Sequence, residues 1–175
     1  MITLIEMMQA ISEFMDTGGQ VLTVIAIVIA LMWLLIFERM LFLFKNYREL
    51  KQALVTRWTT RKEQHSWNAE QIRTALISRG AAQLRKNLPL IQSLVVLCPL
   101  LGLLGTVTGM IEVFDVMAIS GSGNARSMAT GVSRATIPTM AGMVGSLSGV
   151  FAYTWLNRTA KREAELLADS MPIDH

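Results

Sequence analysis

Apolar residues gather in three long stretches separated by polar ones. The first, Val21–Phe37, carries no charged residue, and the apolar Met40–Phe44 extends it past Glu38 and Arg39. The second covers Leu88–Ile111 and the third Ala135–Leu156. Each approaches the roughly 20 apolar residues that a helix needs to cross a bilayer. Gly18 and Gly19 punctuate the start of the first stretch, and SGSGN at Ser120–Asn124 predicts the loop between the second and third. The pattern therefore predicts an all-α integral membrane protein with three transmembrane helices. Its expected segments are an N-terminus at 1–20, a first span at 21–44, a polar loop at 45–87, a two-span core at 88–157 and a tail at 158–175. Within the polar loop, Leu50, Leu54, Trp58 and then Ile72, Leu76 recur at helical spacing, so helices are expected to continue there. Trp58 and Trp67 are candidates for an interface with lipid or partner, or for packing inside the loop.

The second and third stretches are studded with glycine and threonine. Gly102, Gly105 and Gly109 in one have the same offsets as Gly142, Gly145 and Gly149 in the other. Steps of three and then four put each set on one helix face. In lipid, such small residues let backbones approach, and close packing drives helix association there. Assembly of several helices, within or between subunits, is the expectation. Thr106, Thr108 and Thr139 add hydroxyls at membrane depth, either as helix–helix glue or as groups facing water.

Composition agrees with the class: the chain has 175 residues, 52% of them hydrophobic, and a mean hydropathy of +0.43. Charge gives the orientation. Residues 45–87 hold ten of the sixteen Lys and Arg against three acids, whereas residues 1–20 hold Glu6, Glu13 and Asp16 and no Lys or Arg. By the positive-inside rule the polar loop is cytoplasmic, the N-terminus outside and the tail, with Arg158, Lys161 and Arg162, inside. The first stretch lacks a basic leader and reads as a retained anchor rather than a cleaved signal. The basic pI of about 9.4 reflects this topology, and no nucleic-acid motif accompanies it.

Catalytic chemistry has little to stand on. The chain shows no nucleophile–base pair, phosphate loop or metal-ligand spacing; its single cysteine, Cys98, reads as a small buried hydrophobe, and His65 and His175 stand isolated. No cofactor and no enzymatic activity are expected. Ionisable residues inside a membrane mark ion or proton paths. Here no acid lies mid-span: Glu38 is toward one end of the first, and Glu112 and Arg134 are at the outer ends of the second and third. Threonine relays hydrogen bonds but does not change charge near neutral pH. A proton crossing here needs a titrating group from another chain.

The strings LGLLGTVTGMIEVF at Leu101–Phe114 and GVSRATIPTMAGMVG at Gly131–Gly145 resemble the second- and third-span motifs of the ExbB/TolQ/MotA family, the ExbB branch first. The likeness covers Pro89–Asn157, less than half of the chain. It implies a multi-pass protein of the Gram-negative inner membrane, N-terminus periplasmic and C-terminus cytoplasmic. It implies a homo-pentamer whose second and third helices line a pore, enclosing an ExbD-like single-span subunit that brings an essential Asp. Proton flow would then drive a TonB-like protein that energises import of iron-siderophores, haem or vitamin B12. The family's functional threonines fall on Thr106 and Thr139, and Arg134 and Glu112 become charged candidates at the pore mouth. Arg134 departs from the best-known ExbB proteins, which have an acid there. Rival readings are a TolQ-like subunit of the envelope-maintenance system, a gliding or flagellar stator, and a membrane scaffold that conducts nothing. Membrane lipid is a partner in each; nucleic acid is not.

Overall fold

The computed structural model describes residues 2–60, 67–120 and 125–171. Nearly all of these are helical, and among them no strand occurs. The order is α1 (Ile2–Leu41), a π-helical turn (Phe42–Asn46), α2 (Tyr47–Thr59), α3 (Trp67–Arg85), α4 (Leu88–Ser120) and α5 (Ala125–Asp169). Three helical runs, Gly19–Thr59, Trp67–Ile119 and Met128–Asp169, are long and apolar enough to cross a membrane. The Gly121–Asn124 part of the expected loop, His65 and His175 lie outside the described residues.

Two compact units form: Met1–Trp33 with Ser93–Val150, and Leu34–Gln92 with Phe151–His175. The first is built from α1, α4 and α5. Gly19 breaks α1 with φ 67° and ψ −163°, a conformation that only glycine adopts without penalty. A Cβ there would meet nothing within 4 Å, so the backbone alone demands the glycine. Beyond the break, Leu22, Ile25 and Met32 are buried at three- and four-residue intervals or their multiples, so one face of α1 packs inward. The opposite face, with Val24, Ile27 and Leu31, is exposed, as are Leu100, Leu103 and Val107 of α4 and Val144, Leu147 and Val150 of α5. Bare apolar faces of this extent belong against lipid or other subunits.

The second unit has a core of its own. Leu54 and Trp58 of α2, Ala69 and Leu76 of α3, and Leu167 and Met171 at the end of α5 form its core, with Leu50 and Ile72 packed against it. The helical spacing read in the polar loop thus marks a buried stripe. Trp58 is 1% exposed and belongs to that core, whereas Trp67 is 72% exposed. Arg73 of α3 reaches the end of α5: its guanidinium donates to the carbonyls of Ala168, at 3.0 Å, and Met171. The Ala168 carbonyl, in the last turn of α5, also accepts from the Met171 N–H at 3.2 Å, and that of Met171 lies just past the helix; a cation suits a helix C-terminus. Asn87, with φ 64°, turns the chain between α3 and α4, and its amide donates to Glu38 Oε2 at 3.2 Å.

Candidate functional site

The site is the seam between α4 and α5 in the first unit. Their contacts run antiparallel: Cys98 faces Gly142, Gly102 faces Thr139, Gly109 faces Ala135 and Val113 faces Gly131. A Cβ on Gly102 would lie 2.9 Å from the Thr139 Cα, and one on Gly109 would lie 2.8 Å from the Ala135 Cα. One on Gly142 would lie 2.5 Å from the Cys98 carbonyl oxygen. These are backbone neighbours, which cannot rotate away. The remaining glycines meet side chains: Gly105 meets Pro138 and Val21, Gly145 meets Ile29, and Gly149 meets Met32 and Val95. The α4 face is therefore pressed on α5, while Gly145 and Gly149 receive α1.

Close approach lets hydroxyls bond across the seam. Thr139 Oγ1 donates to the Gly102 carbonyl at 2.9 Å. Ser146 Oγ donates to the Val95 carbonyl at 3.0 Å. The second bond has a covalent cause. Pro99 sits inside α4 and has no N–H, so the carbonyl four residues before it, Val95, loses its helical donor. In lipid an unsatisfied carbonyl is costly, and a neighbouring hydroxyl is the ready remedy. Sequence reasoning passed over Ser146; the signal was a proline in an apolar helix and a serine in its partner. Thr106 and Thr108 bond to their own helix, Thr106 Oγ1 to the Leu103 carbonyl at 2.7 Å and Thr108 Oγ1 to that of Leu104 at 3.0 Å.

Toward the C-terminal end of α4 and the N-terminal end of α5 the seam opens into a pocket of about 600 Å³. Its apolar floor includes Gly105, Gly109 and Pro138, and Gln20 of α1, Thr108 and Glu112 of α4 and Arg134 of α5 bring polar groups to it. Glu112 and Arg134 are both exposed, and among the described residues no ion pair joins them. No group of three or more His, Cys, Asp or Glu positioned for a metal occurs among the described residues.

Residues 42–169 match the MotA/TolQ/ExbB proton channel family. The chain belongs to that family. The match reaches well beyond the two motif strings and takes in the whole of α2, α3, α4 and α5, so the helices between the first and second apolar stretches are part of the family's pattern. A Synechocystis protein named as an ExbB-like biopolymer transport protein is 34% identical over 97 residues, 54% of this chain. The aligned part is 38% of that relative's length, so this chain spans well under half of it. The family is one of proton channels, not of enzymes.

Proposed function

We propose that this chain is the pore-forming subunit of a proton-driven complex of the TonB–ExbB–ExbD type. In this reading it forms a homo-pentamer in a Gram-negative inner membrane, N-terminus periplasmic and C-terminus cytoplasmic. Its second and third spans surround an ExbD-like single-span subunit, and proton flow drives a TonB-like protein that energises import across the outer membrane. The observation that carries the reading is the α4–α5 seam: hydroxyls of Thr106 and Thr139 lie on glycine-notched helices whose apolar stretches hold no acid at mid-span. Threonines can hand a proton along a hydrogen-bonded chain, and an acid from the partner would supply the charge change. One unit charge crossing 100 mV is worth about 2.3 kcal/mol, enough to bias a conformational step.

A scaffold reading has one observation in its favour: Thr139 spends its proton on the Gly102 carbonyl, which is what glue does. The two readings separate by experiment. In a strain lacking this gene, the wild-type chain should restore uptake of ferric siderophore that a protonophore abolishes. Thr106→Val and Thr139→Val should assemble normally and fail to restore it. Full uptake by both variants would support the scaffold. Restored detergent resistance without any effect on siderophore uptake would point to a TolQ-like role.

A further inference from the structure

The pocket between the C-terminal end of α4 and the N-terminal end of α5 holds two opposite charges that the helix seam does not use. Glu112 and Arg134 line it without pairing to each other, beside Thr108 and Gln20. Around them the lining is apolar and partly bare: Val116 of α4 is 55% exposed and Met128 of α5 is 38% exposed. The volume of about 600 Å³ falls within the roughly 300–1,000 Å³ of small-ligand sites, which join an apolar lining to a few placed polar groups.

The charges say what fits. An anion drawn to Arg134 would be repelled by Glu112, and a cation drawn to Glu112 would be repelled by Arg134. A head group that carries both charges answers both. The guanidinium presents a fork of N–H donors suited to phosphate. On the acidic side, Thr108 Oγ1 donates to the Leu104 carbonyl at 3.0 Å, which leaves its oxygen an acceptor one turn from the Glu112 carboxylate. Two acceptors side by side suit an ammonium with several N–H groups. We propose that this pocket binds the head group of a zwitterionic phospholipid with a primary ammonium, phosphatidylethanolamine being the simplest. Its phosphate lies on Arg134, its ammonium on Glu112 and Thr108, and its acyl chains run over the exposed apolar surface beside them. In the assembly proposed above, the pore belongs to the second and third spans. A pocket that α1 also walls lies on their other side, toward lipid. That placement rests on the proposed assembly; the charges and the lining do not.

The test is native mass spectrometry of the purified full-length protein, titrated in detergent with phosphatidylethanolamine, phosphatidylcholine or phosphatidylglycerol of matched chains. Phosphatidylcholine has both charges but no ammonium N–H, and phosphatidylglycerol has the phosphate alone. The wild type should retain phosphatidylethanolamine over both by roughly two- to fivefold, the scale of one solvent-exposed ion pair. Glu112→Gln should bring phosphatidylethanolamine and phosphatidylglycerol level, because it removes only the partner of the ammonium. Arg134→Gln should weaken both, and Arg134→Lys should recover part of the loss. Val116→Trp, which fills the pocket and keeps its charges, should lower phosphatidylethanolamine retention. No preference in the wild type, or a preference that Glu112→Gln and Val116→Trp leave untouched, overturns the proposal. Displacement by free phosphoethanolamine at equal concentration would assign the pocket to a soluble zwitterion, and an altered subunit number in Glu112→Gln with unaltered lipid retention would assign it to a second copy; either overturns the lipid. Circular dichroism identifies a misfolded variant, and the wild-type comparison of the three lipids stands without any variant. Siderophore uptake has no part in this readout, so the lipid site and the transport reading fail separately.

Discussion

Thr139 and Gly102 are joined across two helices: the hydroxyl of one donates to the carbonyl of the other at 2.9 Å. The bond depends on the missing side chain, since a Cβ on Gly102 would sit 2.9 Å from the Thr139 Cα. A contact of that kind contributes about 0.6 kcal/mol on average in a membrane, and up to about 1.7. Thr139→Val should therefore cost little stability, measured by denaturant unfolding in micelles, and Thr139→Ser less still. A transport loss well beyond tenfold in Thr139→Val would exceed what that stability change explains, and would assign the hydroxyl to the proton path.

The glycines should not respond alike. Gly142→Ala sets a methyl 2.5 Å from the Cys98 carbonyl oxygen and 3.3 Å from the Gly102 Cα, and neither can move without the helix. Gly145→Ala meets the Ile29 side chain, whose terminal methyl can turn about χ2 where a backbone atom cannot move. Overpacking against backbone costs about 1–3 kcal/mol. Unfolding midpoints should place Gly142→Ala and Gly102→Ala clearly below Gly145→Ala. Equal losses at all three would show that the seam yields as easily as a side chain does.

Ser146 and Pro99 form a test pair. Ser146→Ala leaves the Val95 carbonyl without the hydroxyl that now serves it at 3.0 Å, a loss of about 1–3 kcal/mol for a buried acceptor. Pro99→Ala returns an N–H to α4 and gives that carbonyl a helical donor. The double variant should be more stable than Ser146→Ala alone, read as a positive coupling in a double-mutant cycle. Strict additivity would mean that the serine does not act for the proline.

Arg73 clamps the end of α5 through the Ala168 and Met171 carbonyls. Hydrogen bonds to a charged donor contribute about 1.5–3 kcal/mol. Arg73→Ala should speed amide exchange over residues 166–171 by roughly tenfold or more. Arg73→Lys, a point charge without the fork, should recover part of the protection. Unchanged exchange in Arg73→Ala would place the anchor of α5 in the Leu167 packing alone.

Orientation has a direct readout. In a Cys98→Ala background, Ile119→Cys should react with a membrane-impermeant thiol reagent once the outer membrane is permeabilised, because Ile119 is 87% exposed at the C-terminal end of α4. Thr60→Cys, after α2, should react only when the inner membrane is opened. The reverse pattern would invert the topology and the direction of proton flow.

Much of this protein is legible in one dimension. Three apolar stretches read as three helices because lipid allows no other way to satisfy the backbone of a lone segment. The steps of Gly102, Gly105, Gly109 and of Gly142, Gly145, Gly149 read as helix faces because 3.6 residues make a turn. Leu54, Trp58 and Leu76 read as helical positions for the same reason, and the structure packs them in one core. Spacing along a helix, however, says which residues share a face and not what that face meets. Only the tertiary structure decides that Gly102 and Gly109 press on the α5 backbone while Gly145 and Gly149 receive side chains of α1. Only the antiparallel register of α4 and α5 brings Ser146 to the carbonyl that Pro99 leaves open, and only the packing of α1, α4 and α5 sets Gln20 in one pocket lining with Glu112 and Arg134. Those pairings join residues far apart in the chain. The physical reason is that register is set by the sum of contacts along the whole seam, which no local period encodes.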